Sequence, residues 1–425
     1  MSRTVAVIGG GYGGAAVAKA LESEADVVLV DPRDAFVNAA GSLRALTQPE
    51  WSGNMFFPFK TLLTKGKVVR DRAVSVDANG VTLASGEHIA ADYVVLATGS
   101  GYAYPAKPVS DSVSEARDDL RRTHTELLKS DKVLILGAGP VGLELAGEIK
   151  EVWPDKQVTI VDPAEELLPG FKPEVVEDLR GQLDALGVEV RLGTALGASP
   201  STEAGQAGTF TVTTTGGDEI TADIWFRAFG TSTNSDYLAD GKLTTRNAQG
   251  QVPVTENLNV KGHENVYAVG DITDVAEAKM AGYAMQHAEV VAKNIVAQLK
   301  GEQPSAAYQP LPFPMILLPL GPKGGVGQLP SPDGPFVAPA DGTTSTTGTT
   351  GTTSTTQPLL RIEKGNPDEV ELAALTAVLL ARAGVLPGQD EEAKQADRRT
   401  ACWRRLERRT RPGTPRSWRD TAPRR

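Results

Sequence analysis

The chain has 425 residues, a net charge of −10, and ordinary globular composition with 40% hydrophobic and 23% charged residues. Its one cysteine, Cys402, excludes an intrachain disulfide and a cysteine-ligated zinc or iron–sulfur site. No apolar stretch approaches the roughly 20 residues of a membrane helix, and no signal peptide or myristoylation motif is visible, so the sequence predicts a soluble cytoplasmic protein.

The first predicted strand, Val5–Ile8, runs directly into a glycine-rich loop with the pattern G-x-G-x-x-G. Gly9 permits a tight turn, Gly11 lets the backbone approach a pyrophosphate, and Gly14 lets the following helix pack closely on the strand. The N-terminus of that helix presents free N–H groups to the phosphates. A second strand ends at Asp31, where a carboxylate can bond a ribose hydroxyl. These features predict a dinucleotide-binding βαβ unit.

The same unit recurs in the middle of the chain. A buried strand leads into Gly137, Gly139 and Gly142 at the same spacing, a helix follows, and the next strand ends at Asp162. Asp162 can bond a ribose 2′-hydroxyl but would repel a 2′-phosphate, and no Lys or Arg follows it until Lys172. The duplication predicts two dinucleotide sites, and the second site favours NADH over NADPH.

Two further strands end in short turns, Thr98-Gly99 and Gly270-Asp271. In this order the four segments resemble the two-dinucleotide flavoprotein superfamily (pyridine nucleotide-disulfide oxidoreductases). The resemblance is strongest to its apoptosis-inducing-factor-like and ferroptosis-suppressor-like NAD(P)H:quinone oxidoreductases. It covers about residues 1–330 and extends to the segments VGLELAGEI (141–149), 225–238, KMAGYAMQH (279–287) and GPKGGVGQL (321–329).

The resemblance implies FAD in the first unit and NADH, or NADPH, as co-substrate in the second. The residues implied at the FAD site are Gly9, Gly11, Gly14, Asp31, Thr98, Gly99 and Asp271. Those implied at the NAD site are Gly137, Gly139, Gly142 and Asp162. Disulfide reductases of the superfamily carry a CxxxxC pair after the first unit, whereas residues 33–60 contain no Cys. Electrons are therefore expected to pass directly from flavin to a small acceptor such as a quinone, and no metal is expected.

Glu144 is the candidate catalytic residue, because the superfamily places a glutamate near nicotinamide and flavin at this position. The alternative is an acid that only stabilises the helix N-terminus. Glu148, one turn later, is the weaker candidate, and a solvated acid is the interpretation favoured for it. Lys279 and His287 could approach the flavin pyrimidine edge, although a solvated lysine and a core or surface histidine are favoured for them.

The C-terminal region of the chain has a different character. A Thr/Gly/Ser run over residues 341–357 is too poor in apolar side chains to fold and predicts a disordered linker. A short strand and a helix with a capping box at Asn366–Glu369 follow. The tail from Arg398 carries eleven arginines against two acidic residues, with Trp403 and Trp418 among them.

This C-terminal module resembles the epsilon subunit of actinobacterial acyl-CoA carboxylases, a non-catalytic subunit that binds the carboxyltransferase beta subunit. The resemblance implies an acyl-CoA carboxylase beta subunit as partner of residues 358–425. The alternatives are a tail for a nonspecific anionic partner and a plain disordered tail, and nucleic acid is not favoured.

The sequence thus predicts an α/β protein with two Rossmann-like domains, a discontinuous FAD domain with an inserted NAD domain, a linker and a small strand–helix module. The predicted boundaries are a first FAD-binding segment, 1–120; NAD(H)-binding, 121–245; a second FAD-binding segment, 246–330; linker, 331–357; and carboxylase epsilon-like partner-binding module, 358–425. The predicted function is an FAD-dependent NAD(P)H oxidoreductase of the NADH:quinone type. The alternative is an accessory epsilon-type subunit of an acetyl- or propionyl-CoA carboxylase, with the flavoprotein region passive or regulatory.

Overall fold

A computed structural model of the chain describes residues 3–331 and 334–340. The predicted linker from residue 341 and the module at 358–425 lie outside the described residues. The described residues form seven α-helices: α1 (Tyr12–Leu21), α2 (Ser42–Thr47), α3 (Phe59–Leu62), α4 (Val113–Leu128), α5 (Pro140–Val152), α6 (Pro173–Leu186) and α7 (Ala281–Leu299). None of these helices is both long and apolar enough to cross a membrane.

The described residues also form 21 strands. In chain order they are β1 (Thr4–Ile8), β2 (Asp26–Val30), β3 (Ala35–Val37), β4 (Phe56–Pro58), β5 (Lys67–Val69), β6 (Ala73–Asp77), β7 (Gly80–Leu83), β8 (His88–Ala90), β9 (Tyr93–Leu96), β10 (Ser100–Gly101), β11 (Lys132–Leu136), β12 (Gln157–Val161), β13 (Val188–Arg191), β14 (Phe210–Thr213), β15 (Glu219–Ala222), β16 (Ile224–Arg227), β17 (Ser232–Thr233), β18 (Val266–Ala268), β19 (Ile316–Leu320), β20 (Gly324–Leu329) and β21 (Phe336–Pro339).

The first large sheet is parallel and has the order β18-β9-β1-β2-β5. Its central strand β1 is apolar at every position after Thr4, because both faces of the sheet are covered. Val5 and Val7 pack on α1 and α7, whereas Ala6 and Ile8 pack on the antiparallel sheet β6-β7-β8. The last strand of this sheet comes from residues 266–268, far along the chain from the other four.

The second large sheet is also parallel and has the order β13-β12-β11-β16. Helices α5 and α6 contribute to the core on one face, and the hairpin β14-β15 covers the other face. All four strands lie between β9 and β18 in sequence, so this sheet is inserted between strands of the first. The predicted α/β fold with two Rossmann-like units is confirmed.

A third sheet, β19-β20-β21, packs against α5 through Gly147. A Cβ on Gly147 would lie 2.7 Å from backbone atoms of Leu320, so only glycine allows this close approach. Strand β21 falls inside residues 331–357, the range predicted as linker. It pairs antiparallel with β20 over Phe336–Pro339, so ordered structure extends further than that boundary. The apolar residues of this short segment are sufficient to continue the hairpin.

Candidate active site

Both large sheets carry a glycine loop at the carboxyl end of their central strand, and the two loops have the same geometry. Gly9 has φ +101° and Gly137 has φ +113°, values that side-chain-bearing residues rarely adopt. A Cβ on Gly9 would lie 2.5 Å from the carbonyl oxygen of Ala97, and a Cβ on Gly137 would lie 2.7 Å from that of Ala228. The first glycine of each motif is therefore required by the turn itself.

The helices that follow begin at Tyr12 and Pro140, so the third glycine of each loop lies in the first helical turn. A Cβ on Gly14 or Gly142 would overlap the carbonyl oxygen of the first glycine of its own loop. The middle glycines differ, because a Cβ on Gly11 or Gly139 would meet no atom within 4 Å.

The open space beside these middle glycines lies at a helix N-terminus. Gly11 and Gly139 are the N-cap residues of α1 and α5, and neither helix has a side-chain cap. The first N–H groups of each helix are thus available to a ligand, and a helix N-terminus favours negative charge. Each loop is a cradle that fits a pyrophosphate and that a side chain at the middle glycine would fill.

The second unit has a carboxylate in the predicted place. Asp162 follows β12, and its two carboxylate oxygens accept hydrogen bonds from Ala138 N at 2.7 Å and Ala164 N at 2.8 Å. The first bond ties Asp162 to the middle of the glycine loop. The side chain remains partly exposed, so its oxygens are open to a ribose hydroxyl.

Asp31, the corresponding residue of the first unit, is more enclosed. Gly10 N donates to its Oδ2 at 2.6 Å, as in the second unit, but Arg33 covers both oxygens with its backbone N, Nε and Nη2 at 2.7–2.9 Å. Asp31 is only 1% exposed. A ribose hydroxyl could share these oxygens only if the Arg33 guanidinium moved aside. Sequence reasoning missed Arg33, although it lies just two residues after the acid.

Arg33 also lines a cavity of about 790 Å³ in the first unit. Three further cations, Lys60, Arg70 and Arg117, line the same cavity, against one acid, Asp34. The four cations come from separate elements between residues 33 and 117, so no sequence spacing reveals them. Their charge favours an anionic ligand at this end of the first unit.

The Gly-Asp turn follows β18, an edge strand of the first sheet, and Asp31 follows β2, three strands further along the same sheet. Ser100 Oγ donates to Asp271 Oδ2 at 2.5 Å, and Lys107 Nζ lies 3.9 Å from the same oxygen while donating to Ser100 O at 2.6 Å. Burial lowers the pKa of Lys107, and the charge of Asp271 opposes this shift. Ser100 and Lys107 therefore hold the Asp271 carboxylate, and neither was anticipated from the sequence.

Thr98 and Gly99 lie where the two connections between the sheets meet. Thr98 Oγ1 donates to Asn234 O at 2.6 Å, and Asn234 Nδ2 donates back to Thr98 O at 3.0 Å. Gly99 has φ +61°, and its carbonyl accepts from Asn234 N at 3.0 Å. The structure thus brings Thr98 and Gly99 to the crossover with Asn234.

Glu144 and Glu148 lie one turn apart on α5 and face the first unit. Arg44 of α2 donates to Glu148 Oε1 through Nε at 3.0 Å and Nη2 at 2.9 Å. Glu148 is 5% exposed, so its interpretation as a solvated acid is wrong: Arg44, distant in sequence, compensates its buried charge. Glu148 Oε2 is buried and has no hydrogen-bond partner among the described residues.

Glu144 is the acid with the most perturbed titration in this region. Burial raises the pKa of Glu144 to about 8, the negative charge of Glu148 adds to the effect, and the Arg44 charge opposes it. Glu144 is thus protonated at neutral pH in this environment. A carboxylic acid in this state can donate a proton as well as a hydrogen bond.

Lys279 is partly exposed, whereas His287 is buried. Lys279 Nζ donates to the carbonyl oxygens of Thr273 and Val275, each at 2.9 Å. His287 is 1% exposed and belongs to the core, as the simpler interpretation expected. The histidines His124 and His263 each contact a backbone carbonyl, and no metal-binding cluster occurs among the described residues.

Two parallel sheets, each with a glycine cradle and a strand-end carboxylate, define a protein that binds two dinucleotides. Residues 3–293 match the model of the pyridine nucleotide-disulphide oxidoreductase family. The chain belongs to this family and is an oxidoreductase of the FAD/NAD(P) type.

Curated relatives share most of their length with this chain. It is 31% identical to apoptosis-inducing factor homolog B of Dictyostelium discoideum over 77% of this chain and 89% of the relative. It is 33% identical to ferroptosis suppressor protein 1 of Taeniopygia guttata over 76% of this chain and 88% of the relative. Residues 358–418 separately match the model of the acyl-CoA carboxylase epsilon subunit.

Solved structures share the fold at lower identity. The sulfide:quinone oxidoreductase from Aquifex aeolicus has a TM-score of 0.63 at 19% identity, covering 80% of this chain and 87% of that chain. NDH2 from Plasmodium falciparum in complex with NADH has a TM-score of 0.60 at 16% identity, covering 78% of this chain and 90% of that chain.

Proposed function

We propose that the chain is an FAD-dependent NADH oxidoreductase that delivers electrons directly from flavin to a quinone or another small acceptor. The observation that carries the proposal is the pair of matching glycine cradles, each open at its middle glycine and each at an uncapped helix N-terminus. Bound FAD would supply the hydride acceptor and the electron donor of the reaction.

In this proposal the first unit holds FAD. Gly9 and Gly14 shape its loop, Gly11 leaves space for the pyrophosphate, and Arg33 presents a cation beside Asp31. Asp271, oriented by Ser100 and Lys107, follows β18 at the same carboxyl edge of the sheet, and the resemblance implies contact with the ribityl chain for it. Thr98 and Gly99 directly precede Ser100, which bonds to Asp271. These residues fit the cofactor, with Asp31 open to a ribose hydroxyl once the Arg33 guanidinium has moved aside.

The second unit holds NADH through Gly137, Gly139, Gly142 and Asp162. Asp162 is followed closely by Glu165 and Glu166, and this acidic group would repel a 2′-phosphate. Its open carboxylate suits a 2′-hydroxyl instead.

Direct transfer to the acceptor is supported by the residues that face α5 from the first unit. Arg44 and Trp51 occupy the α2 region, and the chain has no cysteine there. Glu144 holds a proton at neutral pH, and a quinone takes up protons when it is reduced. Glu144 is therefore assigned as the proton-holding group at the acceptor side of the site.

The test is an anaerobic titration of the purified full-length protein. We expect an FAD absorption band that NADH bleaches and a soluble quinone analogue restores. We also expect kcat/KM for NADH to exceed that for NADPH by at least about tenfold, the cost of one unfavourable charge contact. A colourless protein that FAD does not reconstitute would contradict the flavoprotein assignment. A higher kcat/KM for NADPH would contradict only the role of Asp162.

A second function is favoured by the match of residues 358–418 to the carboxylase epsilon subunit. We infer that this module binds an acyl-CoA carboxylase beta subunit, independently of the redox site. A tagged full-length chain is expected to co-purify with that beta subunit, and deletion of residues 358–425 is expected to abolish the association while FAD content stays unchanged. Retention of the beta subunit by the shortened chain would refute the inference.

A further inference from the structure

We propose that His287 is a positioning residue that fixes the Gly270-Asp271 turn through its Nδ1 atom and thereby sets the affinity for FAD. The inference rests on the proposed role of Asp271 at the flavin. It assigns a specific task to a buried histidine that is 17 residues from the turn in sequence and that the mechanism otherwise leaves unused.

The starting observation is the hydrogen bond of the Gly270 amide. Gly270 has φ +72°, and its N–H donates to His287 Nδ1 at 3.0 Å instead of to a backbone carbonyl. A buried N–H that loses its acceptor costs about 1–3 kcal/mol. The turn that carries Asp271 therefore depends on the imidazole for one of its main-chain bonds.

The carbonyl of Gly270, in contrast, is satisfied within the turn. Thr273 donates to the Gly270 carbonyl through its backbone N at 3.0 Å and its Oγ1 at 2.9 Å. Lys279 Nζ in turn donates to Thr273 O at 2.9 Å. The bond between Gly270 N–H and His287 thus links this turn to helix α7. The same helix packs on α1, which follows the first glycine loop.

A carboxylate and a tyrosine contact the other side of the imidazole. Because Nδ1 accepts a hydrogen bond, the proton of the neutral ring lies on Nε2, which is 2.8 Å from Glu277 Oε1. Although these two atoms are close, Nε2 forms no hydrogen bond among the described residues. Tyr308 donates its hydroxyl to Glu277 Oε2 at 2.5 Å and packs edge-on against the His287 ring with a centroid distance of 4.2 Å.

The hydroxyl of Tyr308 stays protonated in this cluster. Burial raises its pKa, and the neighbouring Glu277 carboxylate raises it further. Glu277 thus accepts the Tyr308 hydroxyl and places a negative charge beside Nε2, which favours the proton on Nε2 and leaves Nδ1 free to accept from Gly270. A residue that only filled space here would not require an acceptor at the Nδ1 position.

Two nearly isosteric variants separate these roles. In His287→Asn the amide Oδ1 branches from Cγ, as Nδ1 does, and can accept from Gly270. In His287→Gln the amide group lies one bond further out, near the Nε2 position, and the acceptor is lost. We expect the Kd for FAD, measured by reconstitution of the full chain, to rise at least about tenfold in the Gln variant and to stay within about threefold of wild type in the Asn variant.

Amide hydrogen exchange of the peptide spanning residues 266–273 gives a second readout that does not need flavin. Exchange is expected to accelerate in His287→Gln and to remain close to wild type in His287→Asn. His263→Gln is the matched control, because that histidine contacts the Leu243 carbonyl away from the turn, and it should leave both measurements unchanged.

The two readouts distinguish failure of the inference from failure of the flavin assignment. If the wild-type chain does not bind FAD, the proposed function fails, and the proposed effect on FAD affinity fails with it. If wild type binds FAD but the Asn and Gln variants have the same Kd and the same exchange, only the role of His287 is overturned. Tyr308→Phe, with an expected rise in Kd of about threefold, replaces His287→Gln if that variant does not fold, and an unchanged Kd and exchange rate would then overturn the proposal.

Discussion

Gly11→Ala is expected to leave the chain folded and to strip it of FAD, whereas Gly139→Ala is expected to keep FAD and to raise the KM for NADH. A Cβ at either position meets no atom of the protein within 4 Å, and both glycines have extended backbone angles that alanine adopts without strain. The added methyl group would instead occupy the space where a pyrophosphate approaches the helix N-terminus. Loss of at least about tenfold in affinity is expected at each site, corresponding to about 1.4 kcal/mol.

The crossed design assigns each dinucleotide to its unit. FAD content is measured from the visible spectrum of the purified protein, NADH affinity from steady-state kinetics, and folding from thermal unfolding. Gly181→Ala on α6 is the matched control, since a Cβ there also meets no atom and no ligand is proposed nearby. If Gly11→Ala retained FAD while Gly139→Ala lost it, the two assignments would have to be exchanged. Unchanged affinities in both variants would reject the cradles as nucleotide sites.

Alanine at Gly14 or Gly142, the third glycine of each loop, is expected to impair folding instead of ligand binding. A Cβ on Gly14 or Gly142 overlaps a backbone carbonyl of its own loop, so alanine at these positions affects the protein before any ligand binds. The motif already predicts this division, with Gly11 as the glycine that lets the backbone approach a pyrophosphate and Gly14 as the one that packs helix on strand. The structure separates them through what surrounds each Cα.

The local elements of the fold could be predicted closely from the sequence. Strand β1, its glycine loop and helix α1 follow one another directly, and each is encoded by neighbouring residues. The predicted strand Val5–Ile8 differs from β1 by one position. The inserted second unit was predictable for the same reason, since it repeats the same local pattern. The assignment of each dinucleotide to its unit stays a prediction until the crossed variants are measured.

The contacts that tune the site could not be predicted in this way. Arg44 and Glu148 are separated by 104 residues, and Ser100 and Asp271 by 171 residues, so no spacing links them. Glu148 was interpreted as a solvated acid because its position on α5 does not reveal that Arg44 of α2 packs against it. Arg33 lies only two residues after Asp31. It was missed because the dinucleotide-binding motif specifies an acid at the strand end but not the residues that bond to that acid.

Glu144→Gln is expected to slow turnover with a quinone acceptor by about 100-fold, the contribution typical of a positioned general acid. The variant keeps the size of the side chain but cannot give up a proton. Because burial and Glu148 raise the pKa of Glu144 to about 8, the wild-type residue carries its proton at pH 7 and loses it as the pH rises through about 8. The wild-type rate should therefore be highest below pH 8 and fall above it, and this inflection should be absent in Glu144→Gln.

Stopped-flow measurements of the two half-reactions between pH 6 and pH 9.5 give the decisive comparison. Hydride transfer is followed as bleaching by NADH, and acceptor reduction as recovery of the flavin band after mixing with quinone. Glu151→Gln is the matched control on the same helix, because Glu151 forms an exposed pair with Lys323 at 2.9 Å. If Glu144→Gln changed neither half-reaction, Glu144 would be an acid that only stabilises the helix N-terminus. If both variants kept the inflection near pH 8, the titrating group would lie elsewhere, and the pair of Glu148 with Arg44 would be the next to vary.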